Sequence, residues 1–371
     1  MLKPMGKKPE LRKTTQTDDG APGQSDASEG AVEEHREKPR RRKRPSAEPR
    51  GVSDAAESKG VVSAADFLQL PNPKENISIE LPGGEVEVSN LDKVFWPDEE
   101  YTKADLIGYY LQVSDTIINY LKDRPAILAR YPNGIADSGF FQQNIKDAPA
   151  ILETERLQNQ VGRFLNYAVY TSVASLIYLV NLGTIAQNPW HSRLSNLDRP
   201  DYIVFDLDPH GSPFANVLQV ALVLRDVLSE LRLTGYPKTS GSTGVHVYVP
   251  IARRYDYQEV ARFSEQVSTR VAERVPKLAT VERRISGRKQ GQVYVDWQQN
   301  TRGKSAASVY SVRAKPGASV SMPVTWDEVS QGFEIADFTI RTVPGRLKKK
   351  GDLWADFLKD NQALPKLPGE H

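Results

Sequence analysis

No aromatic residue precedes Phe67: all 5 Trp, 11 Phe and 15 Tyr lie from there onward. Aromatic side chains supply much of the area that a core buries, so this boundary limits where the chain can fold. Residues 1 to about 66 are rich in Lys, Arg, Glu, Ser, Pro and Gly. Such a segment buries too little surface to offset its ordering entropy. The expectation is a disordered basic and polar tail over residues 1–74. Within it, residues 36–44, REKPRRRKR, hold seven basic side chains and one acidic one, although the whole chain carries a net charge of only +2. That run reads either as a non-specific attractor for nucleic acid, acting through counterion release, or as a solvated, flexible segment.

The remaining sequence has the composition of a folded protein. The chain has no cysteine, which excludes disulfides, thiolate catalysis and Cys-ligated zinc. It has no run of about 18 apolar residues, and its start lacks the apolar stretch of a secretion signal. These features lead to the expectation of a soluble, cytoplasmic protein with no membrane partner.

NISIELPGGEVEVSN reads as a hairpin around Pro82-Gly83-Gly84. Residues 102–123 carry apolar residues at helical spacing behind Thr102, a good N-cap. RPAILARYP and GFFQQN read as strands around an Asn133-Gly134 turn, and 170–184 as a buried helix. IAQNPW, DYIVFDLDP, KTSGSTGVHVYVPI, QVYVDWQQN and SVYSVRA read as strands, with helices near 215–233 and 257–275. Irregular alternation of strands and helices predicts an α+β fold around a mixed or antiparallel sheet. The expected catalytic domain is 75–343, followed by a basic C-terminal extension over 344–371.

Three constellations carry chemistry. In DYIVFDLDPH, side chains alternate faces, so Asp206 and Asp208 point one way while Ile203, Phe205 and Leu207 point the other. Two carboxylates so close repel, and a hard divalent cation relieves that repulsion. The bland alternative is a strand ending in a turn, with Asp and Pro209 as turn formers. In KTSGSTGVHVYV, small residues from Ser240 to Gly244 can turn N–H and O–H donors toward an anion, with His246 behind them. It lacks the G-K-[ST] ending of a P-loop, and alone it also reads as a hairpin loop. In VYVDWQQNTRGKSAASVYSVRAK, Asp296 ends another apolar strand, followed by Arg302, Lys304, Arg313 and Lys315. A third carboxylate beside a cation cluster suits a metal-bound triphosphate.

Together, FDLDP, TSGSTGVHVYV, VDWQQNTRGK, YSVRAKPGASVSMPVTWDEV, SNLDKVFWPDEEYTKADLIGYY and NPWHSR resemble the polymerase domain of bacterial DNA ligase D. That domain belongs to the archaeo-eukaryotic primase superfamily. The likeness runs from Leu91 to Val329, in the family's order. It implies a primase-polymerase core in which Asp206, Asp208 and Asp296 hold two divalent ions, Mn²⁺ or Mg²⁺. Ser240, His246 and Arg313 would contact the incoming nucleotide's triphosphate, with Arg302 and Lys304 added by proximity. Asn90, Lys93 and Lys103 match a pocket for the 5′-phosphate of a DNA gap. Phe140 and Phe141 match aromatic positions beside the template. The implied activity is templated nucleotidyl transfer on DNA gaps or double-strand breaks during non-homologous end joining. Nucleoside triphosphates, preferentially ribonucleotides, would be the substrates, and a Ku-like protein a partner. The implied location is the bacterial cytoplasm, at the nucleoid.

Asn188, Thr243 and Gln143 stand where the family often has His, Lys and Lys. No K-x-D-G ligase motif occurs, so the expected sealing enzyme is a separate DNA ligase. Two other readings compete. FDLDP also resembles the aspartyl nucleophile motif of haloacid-dehalogenase-like phosphatases, though His210 stands where that family has Thr or Val. A DNA-end-binding accessory with weak catalysis is the other.

Overall fold

The computed structural model describes residues 60–366. Most of the expected tail, including the basic run at 36–44, lies outside the described residues. In chain order the first strands and helices are β1 (Val61–Ser63), α1 (Ala64–Phe67), β2 (Ile77–Leu81), β3 (Gly84–Val88), β4 (Val94–Trp96), β5 (Tyr101–Thr102) and α2 (Lys103–Leu121). Next come β6 (Ala126–Arg130), β7 (Phe140–Gln142), β8 (Glu153–Gln158), β9 (Phe164–Val169), α3 (Val173–Asn181) and β10 (Thr184–Pro189). The second half holds β11 (Tyr202–Asp208), α4 (Phe214–Glu230), β12 (Tyr236–Thr239), β13 (Val245–Pro250), α5 (Tyr257–Arg274), β14 (Ala279–Thr280) and β15 (Val293–Asp296). Last are β16 (Ser311–Val312), β17 (Val320–Ser321), α6 (Trp326–Gln331) and α7 (Val343–Lys350).

The expected α+β class is the observed one. The main sheet runs β12-β13-β11-β15-β14. Its pairings are antiparallel except β14 with β15, which is parallel. A smaller sheet runs β10-β6-β7. Helix starts follow the local chemistry. Thr102 caps α2 in a reciprocal capping box with Asp105, and Asp256 caps α5 with Glu259. In α5 the buried Val260, Phe263, Ser264, Val267, Ser268 and Val271 form a stripe at helical spacing.

The two faces of the main sheet differ. Ile203, Phe205, Leu207, Val245, Val247, Val249, Val293 and Val295 share one face, and none is exposed. Helices α4 and α5 pack on this sheet. A Cβ at Gly235 would lie 2.9 Å from both Leu228 of α4 and Val247, so α4 packs closely on the aliphatic side. The opposite face carries Tyr202, Asp206, Asp208, Lys238, His246, Tyr248 and Asp296.

Both expected domain boundaries fall inside the folded unit. Ahead of residue 75, β1 pairs in parallel with β2, and Ser63 caps α1 through a capping box with Asp66. These pieces are too short to show periodicity. Beyond Pro344, the expected basic extension supplies α7 and two core aromatics, Trp354 and Phe357. Those rings stack on each other at 4.7 Å and close over Tyr202, Tyr236 and Tyr248. Hairpin β8–β9 was not anticipated: Leu157 is the one buried residue of β8, so the strand lacks an alternating signal.

Candidate active site

β11 lies between two antiparallel neighbours, and the registers form a continuous row. Lys238 on β12 pairs with His246 on β13, His246 with Asp206, and Asp206 with Asp296 on β15. One step along, Asp208 pairs with Tyr294. The backbone therefore gathers all three expected carboxylates on one corner of one face. Their side chains do not converge to the same degree. Among the described residues, no three His, Asp or Glu side chains are grouped closely enough to grip an ion in these rotamers. Asp208 is exposed and accepts only the His210 N–H, at 3.3 Å. Asp296 Oδ1 accepts the Gln298 N–H at 2.7 Å and the Tyr294 hydroxyl at 3.3 Å, and its Oδ2 accepts from Gln299 Nε2 at 3.3 Å.

The row is electrostatically graded. Burial opposes the charge of Asp206, but His246, Lys238 and Arg313 outweigh it and hold its pKa below the ordinary carboxylate value. Burial and then Lys238 push the His246 imidazole down. His246 Nε2 lies 3.3 Å from Asp206 Oδ1. Asp296 moves the other way, raised by burial and by the charge of Asp206. Tyr294 is raised by burial and then by Asp296, so its phenol remains a donor. Arg313 stays charged despite its burial, because guanidinium is not deprotonated in proteins.

Residues 240–244 form a turn built by Ser240. Its Oγ accepts the N–H groups of Ser242 and Gly244, at 3.1 and 2.9 Å, and its carbonyl accepts from Arg313 Nη1 at 2.8 Å. A Cβ at Gly244 would lie 2.2 Å from the Leu207 carbonyl oxygen, so this glycine lets the turn sit against the end of β11. Lys304 is exposed and close enough to favour the charge of Asp296. Arg302 is engaged elsewhere, with Nε on Asp198 at 2.7 Å and its guanidinium over Trp190.

Asn90, Lys93 and Lys103 also come together, at the N-terminus of α2. The Lys103 N–H bonds the Lys93 carbonyl, and the Lys93 N–H bonds the Asn90 carbonyl. Lys93 Nζ donates to Pro132 O and Asn133 Oδ1, both at 2.9 Å, and Lys103 Nζ to Ser89 O at 2.6 Å. Among the described residues neither lysine forms an ion pair with a carboxylate. Burial, helped by Lys93, lowers Lys103 to about 8. Two lysines at a helix start make a site that favours anions.

Strand alternation would bury one of Phe140 and Phe141, yet both are exposed, at 48% and 59%. β7 is an edge strand of its sheet, and the Arg130 guanidinium lies over the Phe140 ring. Of the departures, Asn188 is buried, Thr243 is exposed, and Gln143 accepts from the Tyr167 hydroxyl at 3.2 Å.

Sequence reasoning passed over Lys238, Tyr294 and Asn300. Asn300 is a strand clamp: Oδ1 accepts the Val204 N–H and Nδ2 donates to the Val204 carbonyl, both at 2.8 Å. This fixes β11 two residues behind Asp206. Tyr294 could have been found by extending the two-residue alternation back from Asp296 along the same strand, whereas Lys238 reaches His246 only through the pairing of β12 with β13.

The model of the LigD primase-polymerase domain matches residues 102–354. The Multifunctional non-homologous end joining protein LigD of Pseudomonas aeruginosa is 31% identical over 286 residues, covering 75% of this chain and 34% of that protein. The Bifunctional non-homologous end joining protein LigD of Bacillus subtilis is 32% identical over 284 residues, covering 76% of this chain and 45% of that protein. The chain thus spans less than half the length of these curated relatives. A solved structure, the polymerase domain from Mycobacterium tuberculosis ligase D in complex with DNA, superposes with a TM-score of 0.70 at 28% identity. That match covers 75% of this chain and 99% of that one. With a family match over most of the described residues, this chain belongs to the LigD primase-polymerase domain family.

Proposed function

We propose that the chain catalyses template-directed nucleotidyl transfer at DNA gaps or broken ends. The observation that carries this reading is the cross-strand row Lys238–His246–Asp206–Asp296, with Asp208 one step beyond. The donor set fits divalent ions. Carboxylate oxygens are the hard ligands that Mg²⁺ and Mn²⁺ favour, and the charge of Asp206 disfavours that of Asp296, a repulsion that a bound cation would relieve. Asp206, Asp208 and Asp296 would hold two such ions, which when bound activate a primer 3′-hydroxyl and neutralise the triphosphate and departing pyrophosphate.

The chain's own groups do the rest. The Ser240 turn, Arg313 and Lys304 hold phosphate oxygens, and a neutral His246 can pass its Nε2–H from Asp206 to one of them. Asn90, Lys93 and Lys103 take the 5′-phosphate beyond the gap, and Phe140 and Phe141 stack on template bases. Arg302, already paired with Asp198, is left out of this assignment. Ribonucleotide preference, end joining with a Ku-like protein and sealing by a separate ligase complete the reading. The phosphatase alternative falls with family membership.

The test is a gapped primer–template with a 5′-phosphate, Mn²⁺ or Mg²⁺, and either ribo- or deoxynucleotides. Templated extension is expected, faster with ribonucleotides and lost in Asp206→Ala. Tight gap binding without extension under either metal would favour the accessory reading instead. Lys93→Ala and Lys103→Ala should each erase the advantage of a phosphorylated gap. A charged hydrogen bond is worth about 1.5–3 kcal/mol, so that loss is on the order of tenfold or more. Because Lys103 sits at about 8, the advantage should fade as pH rises through that value. Lys103→Arg should hold it, since arginine keeps its charge. An advantage independent of both lysines and of pH would remove the pocket from the account.

A further inference from the structure

Tyr294 completes the carboxylate corner. On adjacent antiparallel strands, Asp206 pairs with Asp296 and Asp208 pairs with Tyr294. Three corners of this two-by-two patch are carboxylates, and the fourth is a phenol. Tyr294 lies two residues before Asp296, hence on the same face, and its hydroxyl reaches Asp296 Oδ1 at 3.3 Å.

The ring itself is buried and stacked. It is only 6% exposed, and the Arg288 guanidinium carbon lies 3.7 Å from its centroid. Arg288 is in turn fixed by the carbonyls of Glu282 and Arg283, at 2.8 and 2.9 Å. Arginine stacking of this kind orients a ring as well as attracting it.

The Gln298 N–H anchors Asp296 Oδ1 at 2.7 Å, but one donor leaves the carboxylate plane free to rotate. A second donor on the same oxygen removes that freedom. It leaves Oδ2, whose partner is the side-chain amide of Gln299 at 3.3 Å, as the oxygen that can turn to a cation.

We propose that Tyr294 is a positioning residue for Asp296, its hydroxyl setting the carboxylate's orientation for a divalent ion and Arg288 setting the ring. This rests on the metal reading of the three aspartates. Groups that orient a ligand from behind typically change metal affinity about 10–100-fold when removed. Tyr294→Phe keeps the ring, its burial and the Arg288 contact, and deletes only the donor.

The test titrates MnCl₂ into nucleotide-free protein and reads free Mn²⁺ by electron paramagnetic resonance, with thermal melting alongside. Tyr294→Phe should melt like the parent chain and bind Mn²⁺ about tenfold more weakly. Arg288→Gln should also bind it more weakly, by a smaller factor. Parent protein that binds Mn²⁺ while Tyr294→Phe binds it equally or more tightly would overturn this inference alone. Parent protein that binds no Mn²⁺ would overturn the metal reading and this inference together.

Discussion

The two faces of β11 are both buried along most of their length, yet they do different work. Ile203, Phe205 and Leu207 are fully buried in a sheet on which helices α4 and α5 pack. On the other face Tyr202 and Val204 give way to Asp206 and then Asp208, beside His246 and Lys238. Burying a polar group without a partner costs free energy, so the second face needs an internal network. Lys238 Nζ bonds Ser321 Oγ, and His246 Nε2 lies 3.3 Å from Asp206 Oδ1. What separates the faces is therefore the partners against which each is buried, rather than burial itself. An aliphatic face holds a shape, whereas a self-partnered polar face holds charges that a ligand can later use.

The largest test of that contrast lies on the aliphatic side. Phe205→Ala should cost about 3–5 kcal/mol of stability, read as a lowered denaturant midpoint, and any loss of activity should track unfolding. A variant that melts normally but is inactive would place chemistry on the wrong face. A smaller effect separates the two carboxylates of the polar row. Asp296 is raised in the folded protein, so folding resists its ionisation. Stability then drains as pH rises from the unfolded-chain value of about 3.9 toward the folded one. Asp206 is lowered, so its contribution is present above that same value and is lost as pH falls. Asp296→Asn should remove the first effect and raise the melting temperature near neutral pH. A melting temperature that falls in Asp296→Asn would mean the pair is not repulsive.

Much of this was legible in the sequence because strand alternation and capping are local rules. Thr102 and the spacing behind it gave α2, and the D-x-D spacing gave two carboxylates on one face. Asp296 joined them through order and resemblance, since cross-strand register is a long-range property. For the same reason Lys238 and Asn300 were missed: their partners lie on other strands, Ser321 for the lysine and Val204 for the asparagine. Arg302 entered by nearness in sequence alone, which says nothing of Asp198, its ion-pair partner in the fold. Trp354 and Phe357 lie in LWADFLKD, a short amphipathic stretch within the basic extension, whose composition is dominated by lysines. Only the fold brings those rings onto Tyr202 and Tyr248.

The central claim is that the polar face carries chemistry and the aliphatic face carries the fold. The most direct measurement compares Asp206→Ala with the parent chain on one phosphorylated gap, recording extension and thermal melting in the same preparation. The account predicts extension at background in Asp206→Ala, gap binding retained, and far less destabilisation than Phe205→Ala causes. Asp206→Ala that still extends the primer at the parent rate would contradict it.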